Sequence, residues 1–426
     1  MPLTKYVSVT FTGGSNDGST SNPYTTIEAA RSDIQTNASD NGPHYIILSE
    51  SSAAQTVYSA SYGMPAGFEQ EFWMGSYDRG VIVSGAHGQD IIIDGEGVIN
   101  KSAFEFYGSG SGAHNLTIRN IGNNTNPNYG ALRFTKRPAD VRGVTISGTI
   151  CGAITQLGDY NHSSPGYYDA WTIIDSCRIH VGSPSAARRG ISWGSTARHG
   201  LVNNCLIIFA GSATDGTTPS RAIYASAGTT YTTASFCTVV VNVDDALHTD
   251  STIGITAGYV TNCIVSMSLA HDSNDVCSFI NADTAINNLY AGYNDGSSAA
   301  GVRRVLNGTS ASFDATALRY KNAVALSLFN SPDSTFKSLY ADWTLASGAP
   351  AIDAGATIDY FGLTSADISG TLRASSDAGT GGSTDIGAFE FISLGYGNTV
   401  IGVVAGSLGK VLGVTKANTS KVIGVE

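Results

Sequence analysis

The sequence predicts an all-β protein, a right-handed parallel β-helix in which short strands stack as successive coils. Charged residues make up only 13% of the chain while 50 of its 426 residues are glycine, a composition typical of short strands joined by tight turns. A strand phrase recurs every 26 to 32 residues, and a second strand series alternates apolar and polar residues. Repeats of roughly 20 to 50 residues indicate stacked supersecondary units.

Composition argues against several partners. A net charge of −11 and an isoelectric point near 5.1 argue against nucleic acid, which proteins bind through clustered Lys and Arg. No apolar stretch reaches the roughly 18 to 20 residues that cross a bilayer, and the opening residues lack the apolar region of a signal peptide. Six cysteines occur without a CxxC pair or clustered histidines, so we predict no metal site and no cofactor.

The recurring phrase places a small apolar residue at one position of each coil. Coils stack about 4.8 Å apart, so equivalent residues form a ladder along the axis. Cysteine is interpreted here as a small buried hydrophobe; a redox or disulfide role is the alternative, because neighbouring thiols lie within reach. The ladder is predicted to comprise Leu116, Val144, Cys177, Cys205, Cys237, Cys263 and Leu289.

The residue before this ladder is often asparagine. Asparagine tolerates the left-handed φ of a tight bend, and its amide is able to hydrogen-bond to the next coil. We therefore predict a structural asparagine ladder at Asn115, Asn204, Asn262 and Asn288.

The second strand series predicts an outward row of polar side chains that forms a candidate recognition face. Its apolar positions point inward, so alternation turns the following residue of each strand outward. Just upstream, Arg189, Arg221 and Asp245 are expected to align on successive coils, where a solvated salt-bridged edge is the simpler interpretation. The predicted outward row is Arg133, Thr155, Ser192, Tyr224 and His248, each following the inward Leu132, Ile154, Ile191, Ile223 and Leu247.

The first 44 residues predict a cap. A solenoid needs covered ends, because an open terminal coil offers its sheet edge to other chains. Asn16-Asp-Gly leads through Asn22-Pro-Tyr to Thr26-Ile-Glu-Ala-Ala, which predicts a polar turn and a short amphipathic helix from about Thr26 that plugs the first coil. This opening resembles that of pectate-lyase-like right-handed parallel β-helix proteins.

Three segments near the other end also resemble that superfamily, in its bacterial and phage-encoded members. They run from Leu345 to Gly355, from Asp367 to Arg373 and from Thr384 to Glu390, and they are expected to close the helix. The two resemblances together imply a β-helix with its closing segment over residues 45–391. They identify the fold and leave the chemistry open, since the superfamily includes lyases, hydrolases, tailspikes, adhesins and inert structural proteins.

Residues 392–426 predict a separate module of short repeats. A Val-Ile/Leu-Gly-Val phrase recurs every 11 residues and is similar to Lys-Val-Ile-Gly-Val repeats of phage structural proteins. Exposed β-branched runs pair with a partner sheet, so we interpret the module as an assembly or anchoring tail; an extra strand folded back on the helix is the alternative. The assembly residues are predicted to be Val400, Ile401, Val411, Leu412, Val422 and Ile423.

The resemblance implies two kinds of catalytic site, and the sequence offers few residues for either. Lyases of this fold hold Ca²⁺ with carboxylates and use Arg or Lys as base, while hydrolases need two or three converging acids. Asp and Gly in β-helix turns usually serve the backbone, and no second carboxylate group is seen on neighbouring coils, so the sequence favours a non-enzyme. The catalytic candidates are Asp244, Asp245, His248 and Asp250, with Arg189 on an adjacent coil.

An aromatic loop and the outward row supply the candidate carbohydrate contacts. The segment from Asp159 to Asp169 is a long insertion between coils, and loops on a rigid scaffold commonly meet ligands. Aromatic side chains there equally suit covering the coil flank, and Trp171 and Trp193 are interpreted as packing residues. The predicted carbohydrate contacts are Tyr160, Tyr167, Tyr168, Tyr224 and Arg133.

The function that the sequence favours is a phage virion surface protein, a head decoration, fibre or short spike. Its β-helix would project outward and bind host or environmental glycans, and lysis would release it without a signal peptide. A polysaccharide lyase or glycoside hydrolase and a bacterial surface adhesin are the alternatives. Tailspikes usually carry a particle-binding domain before the β-helix, whereas this helix begins almost at Met1, so contacts with other virion proteins are expected through the tail. The resemblance also implies an oligomer, in spikes often a trimer.

Overall fold

The computed structural model describes the coils and their cap. The residues that it describes are 1–40, 42–49, 55–59, 70–72, 80–97, 102–121, 130–135, 138–149, 152–157, 171–182, 189–193, 199–210, 221–225, 231–243, 253–269, 278–286, 288–291, 305–307, 319–320, 329–331, 339, 341–346, 349, 351–355, 366–373, 384–391, 410–411 and 414–415.

Equivalent strands of successive coils pair in parallel register and form three sheets, which confirms the predicted parallel β-helix. Sheet 1 contains Gln70–Phe72, Phe104–Phe106, Leu132–Thr135, Gly152–Leu157, Arg189–Trp193, Arg221–Ala225, Ile253–Thr261, Ser278–Ile286 and Val305–Asn307. Sheet 2 contains Thr4–Val7, His44–Leu48, Val81–Gly85, Ser111–His114, Ala139–Arg142, Thr172–Asp175, His199–Asn203 and Tyr231–Ser235. Sheet 3 contains Gln55–Ser59, Asp90–Asp94, Thr117–Arg119, Thr145–Thr149, Arg178–Gly182, Leu206–Ala210, Thr238–Val243, Ile264–Leu269, Leu289–Ala291 and Arg319–Tyr320.

Sheets 1 and 2 join at the nine-residue strand Ile253–Thr261. Its first half pairs with Arg221–Ala225 and its second half with Tyr231–Ser235, so the corner between the two sheets straightens at this coil. The next coil repeats the arrangement in Ser278–Ile286.

The interior of the coils is one continuous apolar core. Alternation turns every second side chain inward, and stacked positions repeat the same residue types from coil to coil. In sheet 1 the rings of Phe106 and Phe134 stack with centroids 5.1 Å apart. Burying each large apolar side chain stabilises the fold by about 1.5–3 kcal/mol. The inward column of sheet 3, fully buried throughout, consists of Ile118, Ile146, Ile179, Ile207, Val239 and Val265.

The predicted cysteine ladder occupies the corner between sheets 2 and 3. Cys177, Cys205, Cys237 and Cys263 are buried and free, which agrees with their interpretation as small hydrophobes. Their thiols are satisfied by backbone carbonyls; the Sγ of Cys205 donates to the Asn203 oxygen at 3.1 Å. Burial raises the pKa of the Cys205 and Cys263 thiols.

The asparagine ladder forms the bend next to the cysteines, as predicted. Asn115, Asn204 and Asn262 have φ values of 52°, 51° and 52°, in the left-handed region that asparagine tolerates. Ser176 and Phe236 take the same conformation on intervening coils. The backbone N–H of Asn204 donates to the Ser235 carbonyl of the next coil at 3.2 Å, so these bends link the coils.

The last described member of both ladders was predicted one residue out of register. Ile264 pairs with Leu289, which places Asn288, and not Leu289, beside Cys263. Asn288 suits that position because its Oδ1 accepts the Cys263 N–H and its Nδ2 donates to the Val260 carbonyl, both at 2.8 Å. Leu289 then points outward into a second core.

The predicted cap helix is confirmed and spans Ile27–Asn37. Thr26 is the N-cap, with its Oγ1 accepting the Ala29 N–H at 3.2 Å. The helix buries Ile27, Ala30 and Ile34 in the coil core. Because it packs against the first two strands of sheet 2, it plugs the first coil.

The closing segment lies along the outside of sheet 3 and not only at the end of the helix. It includes the antiparallel pair Phe329–Ser331 and Asp342–Leu345. With Trp343 at its centre, it covers an apolar patch on the outer face of sheet 3 and forms the second core. The residues of sheet 3 in this core are Leu206, Ile208, Val240, Ile264 and Leu289; those of the segment are Phe329, Leu339, Trp343, Leu345, Ala349, Ala351, Ile386, Ala388 and Phe389.

A buried charged cluster fastens this segment to the bend. We call Asp367, Arg373, Asp385 and Glu390 the clasp. Arg373 pairs with Glu390, donates to the Asn204 Oδ1 at 2.6 Å, and stacks over the Phe236 ring at 4.1 Å. Glu390 in turn donates its backbone N–H to Asp367 at 2.9 Å. The motif residues recognised in the sequence are thus the ones that attach the segment.

Little of the tail lies within the described residues. Lys410–Val411 and Val414–Thr415 form a short antiparallel pair, which includes the backbone of the predicted assembly residue Val411. The other predicted assembly residues, Val400, Ile401, Leu412, Val422 and Ile423, lie outside the described residues. In the part of the chain that is described, every helix is too short or too polar to cross a bilayer.

Candidate functional site

The outer face of sheet 1 carries one row of side chains whose order the register defines. The predicted row is confirmed through Tyr224, but the next strand begins only at Ile253, so its fifth member is Thr256 and the placement of His248 there is wrong. We call this row the sheet 1 face. Its members with described side chains are Glu105, Arg133, Thr155, Ser192, Tyr224 and Thr256. The backbone register continues the row to Glu71 before them and to Asn281 and Leu306 after them.

One end of the sheet 1 face is an internally satisfied ion pair. Glu105 is only 2% exposed, and its Oε1 lies 2.9 Å from the Nη1 of Arg133. Thr135 and Tyr107 donate hydroxyl hydrogen bonds to the same carboxylate at 3.1 and 2.9 Å. Arg133 is therefore held by Glu105, which weakens its predicted role as a sugar contact.

Sequence reasoning missed that two glutamates occupy opposite strand positions on neighbouring coils here. Glu71 is directly opposite Glu105 on the neighbouring coil, although no acidic residues had been seen to recur between coils. The signal was the repeated phrase, because Gln70-Glu-Phe and Phe104-Glu-Phe place a glutamate at the same strand position.

The middle of the sheet 1 face is uncharged and packed. Thr155 and Ser192 are buried, and the Ser192 hydroxyl lies 3.5 Å from the Thr155 hydroxyl. These side chains offer hydrogen bonds and no strong nucleophile. Trp193, the residue after Ser192, is buried in the coil core as predicted, whereas Trp171 is half-buried with its ring 5.2 Å from the His199 ring.

The other end is an arginine pair gathered around one tyrosine. Arg189 and Arg221 begin neighbouring strands and are directly opposite each other. Their guanidinium carbons lie 4.6 and 4.0 Å from the Tyr224 ring centroid, a distance at which the aromatic ring attracts a cation. The next residue in their column is Ile253, so the predicted alignment of Asp245 with these arginines is wrong.

The positive charges of the arginine pair are not balanced by any carboxylate among the described residues. Burial lowers the pKa of both guanidinium groups, and repulsion from Arg221 lowers that of Arg189 further. Among the described residues, no carboxylate acts on either group. The Nε atoms of both arginines and the Thr256 hydroxyl are buried without a hydrogen-bond partner there, so this end is prepared to donate hydrogen bonds to the oxygens of an outside group.

Several predicted site residues lie outside the described residues. These are the catalytic candidates Asp244, Asp245, His248 and Asp250 and the carbohydrate candidates Tyr160, Tyr167 and Tyr168. Their roles stay predictions. Of the remaining candidates, the structure brings Arg189 and Tyr224 together and places Arg133 three coils away in the same row. In the described part of the chain, His, Cys, Asp and Glu form no group of three able to hold a metal ion.

The molecule is therefore a parallel β-helix with a polar face that includes two arginines without a carboxylate partner among the described residues. The crystal structure of pectate lyase Pel9A is similar to this chain, with 12% identity, a TM-score of 0.36, and coverage of 91% of this chain and 96% of that one. Similarity at this level says nothing about activity. No family model and no curated protein sequence matches the chain.

Proposed function

We propose that the protein is a surface-displayed β-helix that recognises a glycan on the sheet 1 face without cleaving it. The observation that carries this proposal is the arginine pair held by Tyr224 on a rigid sheet. Guanidinium groups present several donors in a fixed fork, and pre-oriented donors lose little entropy when a ligand binds.

Binding to an immobilised glycan array, with tyrosine variants, tests this proposal. We expect Y224A to lose most binding, because the two guanidinium groups lose the ring that orients them. The matched control is Y259A, which removes a tyrosine that is 44% exposed on the sheet 2 side of the Ile253–Thr261 strand. Equal binding by wild type and Y224A, or no binding of any glycan by wild type, would overturn the proposal.

We further propose that the protein belongs to a phage virion and is anchored by residues 392–426. The support is the 11-residue repeat of this segment and its β-branched runs, which suit pairing with a partner sheet. Deleting residues 397–426 should release the protein from its particle or dissociate its oligomer. Electron microscopy of the native particle and sedimentation of both proteins test this; an assembly that persists after the deletion rules out anchoring.

A polysaccharide-degrading enzyme is the second candidate, favoured by one observation. Glu71 and Glu105 occupy opposite positions on neighbouring coils, and adjacent acids are the groups with which glycosidases work. This candidate predicts that E105Q or D245A abolishes release of reducing ends from a bound polysaccharide while the fold stays intact. Product release that is absent in wild type, or unchanged in both variants, removes the candidate.

A further inference from the structure

The arginine pair is more than a general polar contact, because two like charges occupy opposite positions on neighbouring strands and gather at one tyrosine ring. Arg189 and Arg221 sit directly opposite on neighbouring strands, where like charges destabilise a sheet. Both are half-buried, so water screens their repulsion only in part. The arrangement costs free energy in the unliganded protein, and an anion between the two guanidinium groups would relieve it.

The surroundings hold the pair in place without neutralising it. Tyr224 attracts both guanidinium groups through its ring, which positions charge but supplies no anion. Three other described arginines on the outside of the coils have carboxylate partners: Arg133 pairs with Glu105, Arg119 with Asp94 and Arg142 with Asp140. Arg189 and Arg221 differ from these three in having no carboxylate partner among the described residues.

Unsatisfied donors accompany the arginine pair. The two Nε atoms and the Thr256 hydroxyl are buried and unpartnered within the described chain. Thr256 directly follows Tyr224 in the row, so these groups span three neighbouring coils. An oxyanion accepts several hydrogen bonds at once and is bound in a bidentate manner by arginine.

We infer that Arg189 and Arg221, with Thr256, form a subsite for an oxyanion substituent of a glycan, a carboxylate or a sulfate ester. This inference rests on the proposed glycan recognition and names the chemical class of the ligand. The whole chain carries a net charge of −11, so the arginine pair is a local cationic site on an acidic protein. Neutral glycans and glycans whose charges cannot reach the pair are excluded by the same electrostatics.

The test compares three polymers on wild-type protein and two double variants. Alginate offers carboxylates, dextran sulfate offers sulfate esters, and dextran is neutral. We expect R189Q/R221Q to lose about tenfold or more in affinity for the charged polymer that binds. The matched control R119Q/R142Q removes the same formal charge at arginines that already have partners, and should bind within about twofold of wild type. Which charged polymer binds identifies the oxyanion.

A second measurement separates this inference from glycan recognition in general. Inorganic sulfate should raise the thermal midpoint of wild type more than that of R189Q/R221Q, because only the wild type holds the subsite. An equal rise in both proteins, or binding of dextran as strong as that of the charged polymers, overturns the oxyanion subsite. If sulfate protects wild type selectively but none of the three polymers and no arrayed glycan binds, the subsite stands and the glycan function fails.

Discussion

Single buried residues in this molecule contact equivalent residues on the coils before and after them. Cys205 lies between Cys177 and Cys237 in one buried column, and its thiol donates to backbone carbonyls of its own and the preceding coil. Because the surrounding core is apolar and closely packed, a side chain of another shape at this position destabilises the protein. A charged side chain there destabilises it more.

Substituting an acid into the cysteine ladder should therefore damage several coils at once. We expect C205D to destabilise the protein by on the order of 3 kcal/mol or more, because a carboxylate there lacks partners. C205V is the matched control and should cost less than about 1.5 kcal/mol, since Val144 already occupies this column. Thermal unfolding with hydrogen exchange on the coils of Cys177 and Cys237 measures both; equal effects of the two variants would contradict the ladder.

Glu390 gives the clasp a pH dependence with a defined sign. Burial raises the pKa of Glu390 from 4.5 to about 7, so the folded state keeps a proton that the unfolded chain has already lost. Stability then falls as pH rises through this interval, by a few kcal/mol at most, and levels off above it.

The E390Q variant, which cannot titrate, should therefore gain stability relative to wild type as pH rises from about 4.5 to about 7. E28Q is the control. Its stability relative to wild type should fall as pH rises, because the hydrogen bond from Arg31 lowers the pKa of Glu28. Unfolding followed across about pH 2 to 8 distinguishes them, because the interval of Glu28 lies below its ordinary pKa of 4.5. A stability difference between wild type and E390Q that does not change with pH would refute the role of Glu390.

At the residue scale, the sequence predicted the positions that recur at regular spacing. It did not predict the positions that follow loops of varying length. The cysteines and asparagines recur beside short bends of constant length, so their columns were identified correctly through Cys263. Tyr224 and Thr256 are 32 residues apart, as are Ser192 and Tyr224, whereas the predicted member His248 follows Tyr224 by only 24 residues. Only backbone pairing, which a sequence does not display, decides between the two.

At the scale of elements, the closing segment works as a cover for sheet 3. Outward positions of this sheet change from Thr117, Thr145 and Arg178 to Leu206 on the next coil, so an apolar face appears that water would otherwise contact. The segment supplies Trp343 and Phe389 to bury it. That change in the outward column was visible in the sequence and would have predicted a segment packed on the outside of sheet 3. The motifs alone predicted a segment that closes the end of the helix.

The clasp should control whether this cover stays attached. We expect R373A to cost about 3–5 kcal/mol, because it leaves buried carboxylates without their cation. Hydrogen exchange should rise selectively in Leu206–Ala210 and Thr238–Val243, the strands beneath the cover. R119A, which breaks a more exposed pair with Asp94, should cost no more than about 1 kcal/mol. Similar exchange in both variants would mean that Arg373 does not fasten the segment.

At the scale of the whole molecule, the β-helix is a rigid rod with differentiated sides. The cap helix covers the first coil, the closing segment covers the outside of sheet 3, and sheet 1 presents the polar row that ends in Arg189, Arg221 and Tyr224. A solenoid of this kind holds groups on neighbouring coils about 4.8 Å apart, a fixed spacing that suits recognition of a repeating polymer. Fold and cap were predictable from periodicity and end motifs; the arginine site was not, because it depends on the absence of charge partners.

The central claim is that the sheet 1 face binds a glycan through its arginine end. The most direct measurement is a crystal structure of the protein with the best-binding oligosaccharide from the array. We predict ligand density along the row from Ser192 to Thr256, with an oxyanion held between the guanidinium groups of Arg189 and Arg221. Ligand bound elsewhere on the β-helix, with this row and both guanidinium groups uncontacted, would contradict the account.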